Sequence, residues 1–227
     1  MILGEKNEFL KESLEGLEYI YNSLSNVESI GMKDLDENKT VLVIVDVING
    51  FIKEGQMADR RIENIIEPIV ELKQECDKKG IKTIAFADCH DEEAVEFLSY
   101  PQHCIKNSSE SEVVDELKSA GVDYIIEKNS TNGFIEQAFI EWLENNSKIN
   151  NFIVVGDCTD ICVQQFAITL KTWFNMKNKQ SNIMVPLNAI ETYDANFHNA
   201  RLTNAVSAYN MMQNGIKIIK SIVRSKK

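Results

Sequence analysis

The chain has 227 residues, 44% hydrophobic and 26% charged, with a formal net charge of -11. That composition is ordinary for a soluble globular protein with enough apolar surface for one full core. The negative charge argues against a general nucleic-acid binder, which needs a basic face to replace phosphate counterions, and against adhesion to an anionic membrane; a small anionic substrate stays open, because a pocket can differ in sign from the whole. The N-terminus lacks a basic start followed by an apolar run, and the apolar stretch around residues 41–48 is broken by Asp46 and too short to span a bilayer. Five cysteines, an odd number, then read as reduced thiols in the cytoplasm.

The first expected element is an amphipathic helix over residues 8–29, with Phe9, Leu10, Leu14, Leu17, Ile20, Tyr21 and Leu24 at helical spacing. With the polar stretch 33–39 it forms an N-terminal extension over residues 1–39, packed on the main domain or on a partner subunit. Residues 40–227 read as one domain. TVLVIVDV (residues 40–47) is β-branched and almost wholly apolar, as in a strand buried on both faces. A helix over residues 62–80 stops at Gly80, KTIAFAD is a strand, and a helix surrounds SEVVDELKSAG after an irregular stretch. DYIIEK (strand), FIEQAFIEWLEN (helix), NFIVVG (strand), CVQQFAITLKTWF (helix), NIMVPL (strand), a helix over about residues 195–213 and a closing strand, IKIIKS, complete the order. Alternation of this kind predicts an α/β protein, a three-layer α/β/α sandwich on a mostly parallel sheet.

In open parallel sheets, function collects at the carboxyl ends of the strands. Those ends carry Asp46, then Asp88 with Cys89 and His90, then Lys128, then Gly156 with a short loop leading to Cys162 at a helix start. A thiol at a helix N-terminus is shifted toward thiolate, a carboxylate can take its proton, and a cation keeps the carboxylate ionised. Cys162, Asp46 and Lys128 supply those three types. A lone free cysteine is more often a small core side chain; the acid and the lysine at neighbouring strand ends argue for the nucleophile. Asp88 and His90 are two apart, and His103 follows in the same irregular segment. Together they make a mixed oxygen and nitrogen set suited to zinc, manganese or iron, and equally an ordinary surface pair. His198, in the late helix, reads as surface or packing.

Three motifs resemble the isochorismatase-like cysteine hydrolases: DVINGF (residues 46–51), Lys128 ahead of NSTNGF, and VVGDCTDICV (residues 154–163), the most specific. DCH (residues 88–90) and YPQHC (residues 100–104) resemble the metal-binding segments of the nicotinamidase branch. The resemblance spans about residues 40–222. It implies a catalytic triad of Asp46, Lys128 and Cys162, and a divalent metal, zinc foremost with manganese or iron as alternatives, held by Asp88, His90 and His103. It also implies a cis peptide between Asp157 and Cys158, an oxyanion hole from the backbone N–H groups of Cys158 and Cys162, and Phe51 and Tyr100 along an aromatic substrate pocket. The implied activity is metal-assisted cleavage of a small amide, nicotinamide foremost, through a thioester, in a cytoplasmic homo-oligomer. The chain departs from the pattern at Ile48 (usually Gln), Gly50 (often Asp), Cys89 (commonly Trp) and Tyr100 (commonly Trp). Another small amide or a ureido or carbamoyl compound is the alternative substrate, and a phospho-acceptor receiver domain the non-enzymatic alternative. A thiol redox protein is disfavoured because Cys158 and Cys162 are spaced more widely than a CxxC pair.

Overall fold

The computed structural model of the chain describes residues 4–224. In chain order it begins with α1 (Lys6–Ser25), β1 (Ile30–Gly31), β2 (Thr40–Val45), the short α2 (Asn49–Ile52), α3 (Ile66–Lys79) and β3 (Lys82–Asp88). Then come α4 (Asp115–Ala120), β4 (Tyr124–Lys128), α5 (Gln137–Asn145), β5 (Asn151–Gly156) and α6 (Gln164–Met176). The chain ends with β6 (Asn182–Pro186), α7 (Ala200–Gln213), β7 (Lys217–Ile219) and β8 (Ile222–Val223). Six strands form one sheet in the order β4-β3-β2-β5-β6-β7, every neighbouring pair parallel, while β1 and β8 pair separately. All three layers of the expected sandwich are present.

β2 shows why the layers form. All six of its residues are buried. Leu42 and Ile44 pack with α3, whereas Val41, Val43 and Val45 pack with α5 and α6 on the other face, as strand alternation requires when helices cover both sides. Gly80 caps α3 in the left-handed region, φ 81°. Gly156 is fixed more tightly: at φ 117° an added Cβ would lie 1.9 Å from the Val45 carbonyl oxygen. The close approach of β5 to β2 therefore requires glycine.

The sheet's winding reverses between β2 and β5, so the crevice beyond their carboxyl ends is the switch point where ligands bind in this architecture. Asp46 leaves one strand there and the segment to Cys162 leaves the other.

Several helices start about a turn later than the sequence suggests: α3 at Ile66, α4 at Asp115 and α5 at Gln137, and two further differences bear on the site. The last long helix begins at Ala200, because the Asn199 side chain accepts from Leu202 N–H and caps it; residues 195–198 form a tight antiparallel bridge instead. Cys162 sits in a π-helical turn, Thr159–Val163, ahead of α6. α1 has no buried residue. It rests on α7 through Tyr19 edge-on to Tyr209 at 6.0 Å and through half-buried Leu24, leaving Leu10, Leu14 and Tyr21 exposed. Among the described residues no helix is long and apolar enough to cross a membrane.

Candidate active site

Asp46 follows β2 in a left-handed conformation, φ 55°, a costly backbone state for a non-glycine residue that clusters at functional sites. It is completely buried, as is Lys128 at the end of β4. Lys128 Nζ lies 2.9 Å from Asp46 Oδ2 and 2.7 Å from Asp88 Oδ1. It also donates to the Ser130 carbonyl at 3.0 Å and approaches Cys162 Sγ at 3.8 Å. Although close to the ammonium, neither oxygen of Asp46 makes an aligned hydrogen bond, so Asp46 retains acceptor capacity beside the thiol.

The lysine serves two carboxylates rather than one, and they diverge. Burial pushes Asp46 up to about 6 against the pull of Lys128, with Asp88 adding to the rise. Burial would raise Asp88 too, but Lys128 holds it well below the usual carboxylate range. Burial lowers Lys128, and the facing anions outweigh that and keep it charged. The thiol corrects the sequence expectation of a resting thiolate. Burial, reinforced by Asp46 and Asp88 and only partly opposed by Lys128, pushes Cys162 well above its ordinary value. Burial thus outweighs the pull of the helix terminus on the sulfur.

Asp88, His90 and His103 converge. His90 Nε2 lies 2.9 Å and His103 Nε2 3.0 Å from Asp88 Oδ2. His103 Nδ1 donates to the Pro101 carbonyl at 2.7 Å, and His90 Nδ1 faces Asn129 Oδ1 at 2.8 Å. With Nδ1 as donor in each ring, both Nε2 atoms present lone pairs toward a carboxylate oxygen, acceptor against acceptor, and a cation between them resolves that conflict. Glu96, unremarked in the sequence, completes a group of four whose ligand atoms lie within 4.8 Å of one another. The donor set of one carboxylate, two imidazoles and a second carboxylate fits a first-row divalent ion.

A narrow pocket of about 20 Å³ opens onto these groups, bounded by Phe51, Met57, Tyr100, Ile161, Cys158 and Cys162. Both aromatics named from the sequence are on its wall, Phe51 tilted against His103 at 5.6 Å and Tyr100 edge-on to it at 6.3 Å. The Asp157–Cys158 peptide is cis. Among the described residues no acceptor meets the Cys158 N–H. Gly50 is sterically fixed: a Cβ there would lie 2.6 Å from Cys104 Sγ and 2.9 Å from the Glu110 carbonyl oxygen.

The parallel α/β sandwich with this crevice defines a hydrolase of the isochorismatase-like class. The isochorismatase domain family matches residues 40–218, and the chain belongs to that family. It is 33% identical to nicotinamidase 1 of Arabidopsis thaliana over 187 residues, which is 74% of this chain and 75% of the relative. Solved structures that share the fold include two amidases. N-carbamoylsarcosine amidase from Thermoplasma acidophilum superposes with a TM-score of 0.66 at 24% identity, covering 80% of this chain and 96% of that one. The pyrazinamidase of Pyrococcus horikoshii, solved in complex with zinc, gives 0.64 at 21% identity, covering 80% and 99%.

Proposed function

We propose that the protein is a nicotinamidase, hydrolysing nicotinamide to nicotinate and ammonia with Cys162 as nucleophile. The observation that carries this reading is the single buried cluster of Asp46, Lys128 and Cys162 against the Asp88, His90, Glu96 and His103 group. The relationship to nicotinamidase 1 of Arabidopsis thaliana supports the substrate.

The sulfur attacks the amide carbon as its proton passes to Asp46, forming the S–C bond and placing charge on the carbonyl oxygen. The Cys158 and Cys162 N–H groups receive that oxygen. Asp46 returns the proton to the amine, the C–N bond breaks, and ammonia leaves a thioester. Water then cleaves the S–C bond, releasing the acid and restoring the thiol. Lys128 offsets the negative charge of Asp46 and Asp88 throughout. Phe51 and Tyr100 flank the aromatic ring. Asp88, His90, Glu96 and His103 would hold a divalent ion, zinc by its donor set, and such an ion would supply Lewis acidity to the site.

The test is ammonia release from nicotinamide by metal-loaded protein, beside N-carbamoylsarcosine and other ureido compounds. Preference for a carbamoyl substrate would move the protein to the other branch of its family. The five free thiols fit a cytoplasmic enzyme. The exposed row Leu10, Leu14, Leu17 and Tyr21 follows a heptad and fits self-pairing of α1 into a homo-oligomer. Antiparallel pairing about that row would set Lys11 of one copy near Glu18 of the other.

A further inference from the structure

The turn that carries Cys162 is held from outside the triad. Asp160 lies two residues before the nucleophile. Its Oδ1 accepts from Thr192 Oγ1 at 2.6 Å, and its Oδ2 lies 3.0 Å from His198 Nε2. His198 Nδ1 is 2.9 Å from the Tyr193 carbonyl oxygen. The imidazole stacks flat on the Tyr193 ring, with centroids 3.9 Å apart and planes 8° apart. Both ring nitrogens are thus engaged, one with a backbone carbonyl and one with the Asp160 carboxylate. The same stretch of chain grips the turn through its backbone, because Thr159 N–H donates to the Glu191 carbonyl at 2.9 Å.

This changes the standing of His198. It lies in the bridge before α7, not within a helix, and only about an eighth of its side chain is exposed (13%). It forms a two-ended link from the 191–198 segment to the nucleophile turn. Thr192, the other ligand of the Asp160 carboxylate, is wholly buried. A side chain with two directional bonds and a full ring stack is held in one orientation, and it holds what it touches. The object held is a π-helical turn, a geometry less well bonded than an α-helix and one that recurs at functional sites.

We propose that His198 is a positioning residue: acting through Asp160, it fixes the turn that presents Cys162 Sγ to the substrate carbonyl and the turn's N–H groups to the developing oxyanion. The role rests on the reading of Cys162 as nucleophile. His198 touches no reacting atom. Its loss therefore lowers the rate of the chemical step while leaving binding nearly intact, as misplacement of a reacting group does.

Two replacements separate bonding from packing. His198→Phe keeps a ring to stack on Tyr193 and removes both hydrogen-bonding nitrogens. His198→Gln loses the stack and keeps an amide donor able to reach Asp160. With nicotinamide as substrate and metal-loaded protein, His198→Phe is expected to lower kcat by about tenfold or more with KM within about threefold, and His198→Gln to recover most of that loss. Asp160→Asn should lower kcat similarly. Combined with His198→Phe it should cost no more than the worse single change, because the two act as one link. The proposal is overturned if His198→Phe keeps wild-type kcat, if the two losses simply add, or if Phe and Gln lose equal kcat together with equal melting temperature, which is the signature of packing alone. If His198→Phe does not fold, the Gln and Asn variants decide by the same split between kcat and KM. Labelling of Cys162 by iodoacetamide, mapped by mass spectrometry, reads the link without any amide substrate: the rate should fall in His198→Phe and hold in His198→Gln. Wild-type protein that labels normally but releases no ammonia sinks the nicotinamidase reading and leaves this one standing.

Discussion

Lys128→Met removes the charge at the middle of the site and leaves its shape nearly unchanged. In the native protein one ammonium, with no exposed surface, lies 2.9 Å from Asp46 and 2.7 Å from Asp88. Without it two buried carboxylates remain with no ammonium between them. Breaking a buried pair in this way costs about 3–5 kcal/mol, because the surviving charge is uncompensated. For a domain of this size that corresponds to a fall in Tm of roughly 6–20 °C. The sign with pH follows from the carboxylates. Once the lysine is gone both bind protons more tightly in the folded chain than in the unfolded one, so folding is favoured by acid and opposed as pH rises. The deficit against wild type is therefore greatest at neutral pH and shrinks as pH falls through about 6, the range in which Asp46 already titrates. Asp46→Asn added to Lys128→Met should restore part of the loss. The assay is Tm by circular dichroism across pH, with chelator present so that no bound ion offsets the missing charge. A neutral-pH Tm equal to wild type, or a deficit that widens toward acid, would refute the reasoning.

Four further outcomes follow from the same geometry. With Asp46 as proton acceptor, kcat/KM should fall as pH drops through about 6, and Asp46→Asn should lower kcat about 10²–10⁴-fold; a flat acid limb in a steady-state profile would count against it. His103→Ala should abolish stoichiometric metal, and Glu96→Gln should weaken binding about 10–100-fold, both read by elemental analysis and competition with a chelator. Gly50→Ala should destabilise by about 1–3 kcal/mol through overpacking against Cys104 and the Glu110 backbone, measured by urea unfolding. If α1 self-pairs as proposed, light scattering should show Leu14→Glu as a monomer and Lys11→Glu as a weaker assembly, which Glu18→Lys added to Lys11→Glu restores.

The sheet was legible because its strands are short β-branched runs alternating with helical periods. β3 and β5 fall on KTIAFAD and NFIVVG. Knowing that function gathers at strand ends was then enough to single out Asp46, Asp88, Lys128 and Cys162, which the fold brings to one crevice. What escaped was set by tertiary context. Glu96 is one of several acids in an irregular stretch, and nothing in its spacing distinguishes it from Glu92 or Glu93. His198 looked helical because residues 195–213 are compatible with a helix. The Asn199 cap moves the start, and the partner of His198 lies 38 residues away on the nucleophile turn. The charge state of the thiol depends on how deeply the sulfur is buried, which no local pattern encodes. The sharing of Lys128 between two acids likewise depends on β2, β3 and β4 lying side by side.

The account turns on sulfur chemistry at Cys162, and the most direct measurement is the rate of ammonia release from nicotinamide by metal-loaded Cys162→Ala beside wild type. Loss of release to the uncatalysed background, in a variant that keeps its metal and its Tm, is the result expected. Release at more than about a tenth of the wild-type rate would contradict covalent catalysis by this residue.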